Sequence, residues 1–222
     1  MSLNHSRKSL SSSSSREKHT LFPIFLKLAG RHCLVVGAGK TAEEKIPTLL
    51  AGGATVAIVA PAATPKIQSW ARDEKLFWTK KRFDSRDLDG VFLTVIATSS
   101  KAVNRAAFQE AQQRGVLCNV VRDRAYCDFY YPAVVRRGPL QIAISTAGHS
   151  GALAQRLREE LEYQFGPEWE SLLRWLGEAR SSLYDDPLSP RHRRTMLHKL
   201  ASRKTQEKMF RRWGLSPKSN KR

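Results

Sequence analysis

Apolar and polar positions along this chain follow two periods, and the switch between them marks the elements. Residues 33–36, Cys-Leu-Val-Val, form a short apolar run that ends at Gly37-Ala38-Gly39. Apolar residues then recur at helical spacing, with Ala42, Ile46, Leu49 and Leu50 on one face. A second apolar run at 56–60 completes a strand–turn–helix–strand unit. Pro47 lies inside that helix, where it removes a backbone donor and predicts a kink. A short helix is predicted near 65–73 and a strand over 76–83. Residues 91–97 read as a strongly apolar strand. Thr98-Ser99-Ser100 then caps a helix over about 101–114 whose face is Val103, Ala106, Ala107 and Ala111. Residues 116–121 read as a further buried strand. Strands separated mostly by helices predict an α/β fold with a doubly wound parallel sheet. Such sheets bind ligands at the C-terminal strand ends. Gly37, Ala38, Gly39, Lys40, Pro61, Ala62, Thr98 and residues 119–123 are therefore expected along one rim.

The pattern changes after Pro132. Residues 134–139 read as a strand end and turn, and 140–144 alternate apolar Leu140, Ile142 and Ile144 with Gln141 and Ala143. This predicts an antiparallel hairpin outside the main sheet. A loop of small residues, 145–151, leads into a helix with the stripe Leu153, Leu157 and Leu161. Pro167 opens another helix bearing Trp169, Leu172, Leu173 and Leu176. Pro187 and Pro190 break the chain before a basic C-terminal helix. No internal repeat is visible.

Chemistry is expected first at the glycine turn. Gly37 permits a tight turn, and Gly39 has no side chain to block a pyrophosphate. Ala42 stands where a small residue lets the helix pack on the strand. The free N–H groups and dipole at the helix start favour an anion. In this strand–helix context the pattern reads as a Rossmann-like dinucleotide site, the alternative being an ordinary structural turn. No acid ends the second strand: Ala60, Pro61 and Ala62 stand where a ribose-binding Asp or Glu is usual. The phosphate end of the site is better marked than the adenosine end.

Composition narrows the setting. The 222 residues are enough for one full core and a smaller second unit. The formal charge of +18 is unevenly spread. Residues 191–222 hold twelve Lys/Arg against the single acid Glu207, and residues 1–20 hold four against one. Arg191-His192-Arg193-Arg194 and Arg211-Arg212 suit nucleic acid or an acidic surface. No nucleic-acid motif accompanies them, which favours a partly helical, soluble extension. No apolar run approaches the roughly 20 residues that span a bilayer. The serine run 11–15 reads as a flexible tail without a signal segment after it. Cys33, Cys118 and Cys127 are odd in number and lack metal-ligand spacing, as for reduced thiols of a cytoplasmic protein. No metal site is expected.

A second constellation is more specific. Residues 118–133 read Cys-Asn-Val-Val-Arg-Asp-Arg-Ala-Tyr-Cys-Asp-Phe-Tyr-Tyr-Pro-Ala. Leu-Phe-Pro-Ile-Phe-Leu-Lys-Leu at 21–28 and Ile144-Ser145-Thr146-x-Gly148-x-Ser150 accompany it. Together, over about residues 21–180, these resemble the precorrin-2 dehydrogenase family, the N-terminal module of siroheme synthase. The resemblance implies a dinucleotide-binding domain over 21–133, a dimerisation segment over 134–150 and a helical domain over 151–190. A disordered tail at 1–20 and a basic extension at 191–222 lie outside it. It also implies a homodimer that oxidises the tetrapyrrole precorrin-2 to sirohydrochlorin with NAD⁺ accepting hydride. Some members also insert iron, and a chain of this length implies a stand-alone module without the methyltransferase domain of larger fusions. Lys40, Thr41, Pro61 and Ala62 match the family's cofactor contacts, with Thr98 and Asn119 behind them; Thr146 and Ser150 fall on its polar loop.

The substrate implied carries eight carboxylates, which arginine forks match in bidentate fashion. Arg122, Arg124, Arg136, Arg137 and Arg156 flank the expected rim and hairpin, where ordinary surface solubility is the other reading. One position departs from the family. The acid that follows Asn-Val-Val, proposed there as general acid or base, is Arg122 here, and Asp123 comes next. Arginine cannot serve as a base near neutral pH. In an extended segment Asp123 would face the other way. Asp123 or His149 is then expected to handle the proton, or positioning beside NAD⁺ suffices. The alternative is a family member that binds tetrapyrrole or nucleotide without turnover. The family's Ser-Pro after the loop is also replaced, by Ser150-Gly151.

Overall fold

The computed structural model describes residues 20–215; the serine run and the last cations lie outside the described residues. Strands β1 (His32–Val36), β2 (Thr55–Val59), β3 (Phe77–Thr79), β4 (Leu93–Ile96) and β5 (Leu117–Val120) form a parallel sheet in the order β3-β2-β1-β4-β5. Successive side chains point to opposite faces, and with both faces covered the strands β1, β2, β4 and β5 are largely buried and mostly apolar. Cys33, Val35, Val56, Ile58 and Val95 face Ala42, Ile46 and Leu49 of helix α1 (Lys40–Ala51) and Ile67 of α2 (Pro65–Arg72). Leu34, Val36, Val59, Ile96, Cys118 and Val120 face Ala107 and Ala111 of α3 (Lys101–Gln113). The expected doubly wound parallel sheet is present.

One local expectation changes. The strand read over 76–83 pairs only at Phe77–Thr79. The cations Lys80, Lys81 and Arg82 that follow are exposed, and the chain turns away from the sheet edge. Pro47 lies inside α1, which runs from Lys40 to Ala51. Pro47 sits on the exposed face, where water can satisfy the carbonyl its missing donor leaves.

Beyond the sheet, β6 (Ala133–Arg137) and β7 (Leu140–Ile144) pair antiparallel, with Ala133 opposite Ile144. Helices α4 (Gly151–Gln164), α5 (Glu168–Asp185), α6 (Pro190–Leu200) and α7 (Arg203–Arg212) follow. Arg137 donates to the Phe165 carbonyl at 2.7 Å and the Glu162 carbonyl at 3.0 Å, tying the hairpin to the end of α4. The stripe read on α4 is only partly used: Leu153 is exposed and Ala154 is buried instead. The basic segment is two helices rather than one, broken at Ala201-Ser202, where Ser202 caps α7. Met209 and Phe210 of α7 pack with Leu172, Trp169, Trp175 and Leu176 of α5.

Candidate active site

The exits of β1, β2 and β4 are laced together. Gly37 N–H donates to the Val59 carbonyl at 2.9 Å, and Ala97 N–H to the Val36 carbonyl at 2.8 Å. Gly37 has φ +100°, and a Cβ there would lie 2.6 Å from the Ala97 carbonyl oxygen. Only glycine fits. A Cβ on Gly39 would meet nothing within 4 Å, so the space above it is open. Gly39 also gives α1 no side-chain cap, whereas Thr64, Ser100 and Ser150 cap α2, α3 and α4. The first-turn amides of α1 are thereby left for an anion. An open cradle over an uncapped helix start fits the diphosphate of a dinucleotide.

The other predicted contacts gather round this cradle. Ala38 is buried, and its carbonyl accepts from Thr64 N–H at 3.1 Å, which ties the loop bearing Pro61 and Ala62 to the glycine turn. Pro61 and Ala62 are exposed on that loop. Lys40 lies 3.8 Å from Glu43 with its side chain in solvent, and Thr41 beside it is half-buried. The Thr98 hydroxyl donates to Asn104 Oδ1 at 2.6 Å and accepts from Ser100 N–H at 3.1 Å. Thr98 thus forms a fixed wall whose methyl would touch a Cβ on Gly37 at 3.1 Å. Asn119 is buried, and its amide is taken up elsewhere: Nδ2 donates to the Phe129 carbonyl at 2.7 Å.

The end of β5 differs from the extended reading. Asp123 N–H donates to the Val120 carbonyl at 3.1 Å, closing a turn with Arg122 at φ +68°. Arg122 and Asp123 therefore do not alternate across a strand. Both line one cavity of about 160 Å³, together with Lys45, Arg124, Tyr130 and Tyr131. The left-handed region suits Asp, Asn or Gly better than arginine. Asp123 starts a short 3₁₀ turn by accepting from Ala125 N–H at 3.3 Å. The rest of the motif builds the loop. The Asp128 carboxylate accepts from Cys118 N–H at 2.9 Å and from Gln112 Nε2 at 2.8 Å.

Arg124 joins the two sequence constellations. Its guanidinium donates to the Gly148 carbonyl at 3.0 Å and to the Ala147 carbonyl. Thr146 Oγ1 donates to the Ser150 carbonyl at 2.9 Å and accepts from Ser150 N–H at 3.1 Å. The Ser150 hydroxyl caps α4 by accepting from Leu153 N–H at 3.1 Å. These two hydroxyls set the shape of the loop. His149 is exposed on it, its backbone N–H donating to the Thr146 carbonyl at 2.9 Å. Of the other flanking arginines, Arg137 holds the end of α4, Arg156 pairs with Glu160 at 3.3 Å, and Arg136 is exposed on β6.

Two cavity residues escaped the sequence reading. Lys45 Nζ lies 4.7 Å from the centre of the Tyr131 ring. The signal for Lys45 was its register: it follows Ala42 by three residues, on the buried flank of α1. The Tyr131 hydroxyl is buried without a hydrogen-bond partner, and burial pushes its ionisation well above the usual range. No sequence pattern announces that. A larger hollow of about 530 Å³ lies on the α4 side of the hairpin, lined by Ile144, Leu157 and Leu161, and shares no residue with the rim. Among the described residues no group of three or more His, Cys, Asp or Glu is placed to hold a metal ion. No helix among them is long and apolar enough to cross a membrane.

Known proteins are similar to this chain. An NAD(P)-binding family model matches residues 24–133, and a model for the central part of sirohaem biosynthesis proteins matches 137–164. The siroheme synthase of Neisseria meningitidis serogroup C (strain 053442) is 40% identical over 166 residues. The chain is a relative of the siroheme synthases. Another siroheme synthase, siroheme synthase 1 of Serratia proteamaculans (strain 568), is 38% identical over 165 residues. These alignments take in 73% and 72% of the chain and 35% of each relative, so the chain spans about a third of their length. Among solved structures, SirC, precorrin-2 dehydrogenase, superimposes with a TM-score of 0.72 and 28% identity, over 86% of this chain and 98% of that one. In this siroheme synthase relative, therefore, the glycine turn lies within the NAD(P)-binding match and the Thr146–Ser150 loop within the sirohaem match.

Proposed function

We propose that this chain oxidises precorrin-2 to sirohydrochlorin with NAD⁺ as hydride acceptor. The observation that carries the reading is the meeting of two sites on one rim. An open cradle at Gly39 stands over an uncapped helix start, beside a cavity walled by Lys45, Arg122 and Arg124. Similarity to SirC, precorrin-2 dehydrogenase, over nearly all of that chain supports it.

In this reading Gly37, Ala38, Gly39, Lys40 and Thr41 hold the diphosphate, Pro61 and Ala62 border the adenosine, and Thr98 walls the nicotinamide end. The nicotinamide, when bound, supplies the ring carbon that receives hydride. Arg122, Arg124 and Lys45 anchor carboxylates at the edge of the tetrapyrrole, which fixes its distance from that carbon. Loss of a hydride leaves a proton to be removed. Arg122 cannot accept it. The Asp123 carboxylate, on the same cavity, takes it; His149 stands second on the clamped loop. Thr146 and Ser150 keep that loop in shape for substrate. Iron insertion is not part of the reading, because the acid the family is proposed to use for it is Arg122 here.

Two further features support a cytoplasmic homodimer. All three cysteines are free, as in a reducing compartment. Phe22, Ile24, Phe25 and Leu153 are exposed, which suits burial against a second protomer. The reaction is tested by adding purified chain to precorrin-2 and NAD⁺ and following sirohydrochlorin absorbance. We expect turnover, about a hundredfold slower with Asp123→Asn and nearly unchanged with His149→Gln. No product above the uncatalysed background, from a folded sample, would rule the activity out.

A further inference from the structure

Arg124 is claimed by two parts of the molecule at once. It lines the cavity of about 160 Å³ at the end of β5, and its guanidinium donates to the Gly148 carbonyl at 3.0 Å and to the Ala147 carbonyl. Those carbonyls belong to consecutive residues in the left-handed region, Ala147 at φ +48° and Gly148 at φ +74°. Alanine seldom enters that region, so this loop shape depends on the contacts that hold it. The fit on Gly148 is close. A Cβ there would stand 2.5 Å from Arg124 Cζ and 2.7 Å from its Nε, so the guanidinium lies against bare backbone.

The cavity side is charged for an anion. Lys45, Arg122 and Arg124 line it, with Asp123 as the carboxylate among them. Among the described residues Arg124 has no ion-pair partner and no hydrogen bond beyond the two loop carbonyls. A guanidinium has more N–H donors than two carbonyls use. The residue is exposed, with Cζ 6.0 Å from the centre of the ring of Tyr130, another cavity residue. A carboxylate in the cavity can therefore take the remaining N–H groups while Ala147 and Gly148 keep theirs. An arginine side chain loses much rotamer freedom when it is fixed, and fixing it for one contact lowers the cost of the other. Occupancy of the cavity and closure of the loop thus favour each other.

We propose that Arg124 couples the cavity to the loop: one guanidinium holds a ligand carboxylate and the Ala147 and Gly148 carbonyls together, so that filling the cavity tightens the loop that carries His149. The proposal rests on the tetrapyrrole reading of the rim and adds the means by which the loop responds to substrate. Toward His149, Arg124 is a positioning residue.

Hydrogen exchange of the loop amides tests it. His149 N–H donates to the Thr146 carbonyl at 2.9 Å and Ser150 N–H to Thr146 Oγ1 at 3.1 Å, so both report opening of the loop. Exchange is followed on the full chain, free and saturated with sirohydrochlorin, whose carboxylates stand in for those of the substrate. It is repeated on Arg124→Lys, which keeps the charge and loses the planar fork, and on Gly148→Ala, which puts a methyl where the guanidinium lies. An unchanged circular dichroism spectrum shows that each variant is folded. We expect sirohydrochlorin to slow both amides about fivefold or more in the wild type. Arg124→Lys should bind sirohydrochlorin within about tenfold of the wild type and show less than about twofold slowing. In Gly148→Ala both amides should exchange fast with and without ligand. Wild-type chain that binds sirohydrochlorin without slowing overturns the proposal and leaves the tetrapyrrole reading standing. So does slowing that persists in either variant. If sirohydrochlorin does not bind the wild type, the tetrapyrrole reading of the cavity falls and the proposal falls with it.

Discussion

Gly37 and Gly39 are two residues apart and meet different constraints. Gly37 is required by the fold, since its φ of +100° and the Ala97 carbonyl both exclude a side chain. Gly39 has ordinary φ near −90° and open space above it, so only a ligand constrains it. Gly37→Ala should cost roughly 2 kcal/mol or more in urea unfolding. Gly39→Ala should change stability by less than about 0.5 kcal/mol and still weaken dinucleotide binding about tenfold. Equal losses of stability would show that the space over Gly39 is not a ligand cradle. Arg122 is the opposite case, a bulky residue in a conformation that favours a small polar one. Arg122→Asn should stabilise the chain by about 0.5–1 kcal/mol, and an unchanged or lower urea midpoint would contradict the turn geometry. The identity of Arg122 was plain in the sequence, but its left-handed backbone was not. That conformation is set by the Val120–Asp123 turn and by the loop that Asn119 and Asp128 pin to β5.

At the scale of elements, the strands hold their thiols in the neutral form. Burial pushes Cys33 up to about 11 and, with a smaller contribution from Asp128, Cys118 up to about 12. Unfolded thiols ionise near pH 8.5. Above that pH the unfolded chain binds fewer protons than the folded one, so stability falls as pH rises toward about 11 and 12. Alkylation at pH 8 should therefore spare Cys33 and Cys118 in the native protein and modify all three cysteines once it is unfolded. Fast native labelling of Cys33 would contradict the packing of β1. The central strands and α3 were legible because burial on both faces leaves an unbroken apolar run. β3 was overestimated because Leu76 and Trp78 continue the apolar pattern for a strand that has a neighbour on one side only. The α4 stripe misled for a related reason: Leu157 and Leu161 border an open hollow rather than a closed core.

Across the whole molecule, basic charge and apolar packing coexist in the last two helices. Arg203 and Arg211 share Glu207, while Met209 and Phe210 turn inward onto α5. Composition announced the charge, and only the fold shows that the same segment completes a small core. The join between the sheet and the hairpin loop was equally hidden. It depends on Arg124 reaching two carbonyls more than twenty residues away, a contact that no local spacing encodes. That join ties the turn bearing Arg122 and Asp123 to the Ala147–Gly148 carbonyls of the hairpin loop, and the reaction we propose for the rim is hydride transfer from precorrin-2 to a bound dinucleotide. The most direct measurement is a single time course that counts NADH and sirohydrochlorin together, with and without the chain. One NADH should appear for each sirohydrochlorin, and at limiting NAD⁺ both should fall together, by up to about tenfold, in Gly39→Ala. Sirohydrochlorin formed without NADH, or neither product from folded chain, would contradict it.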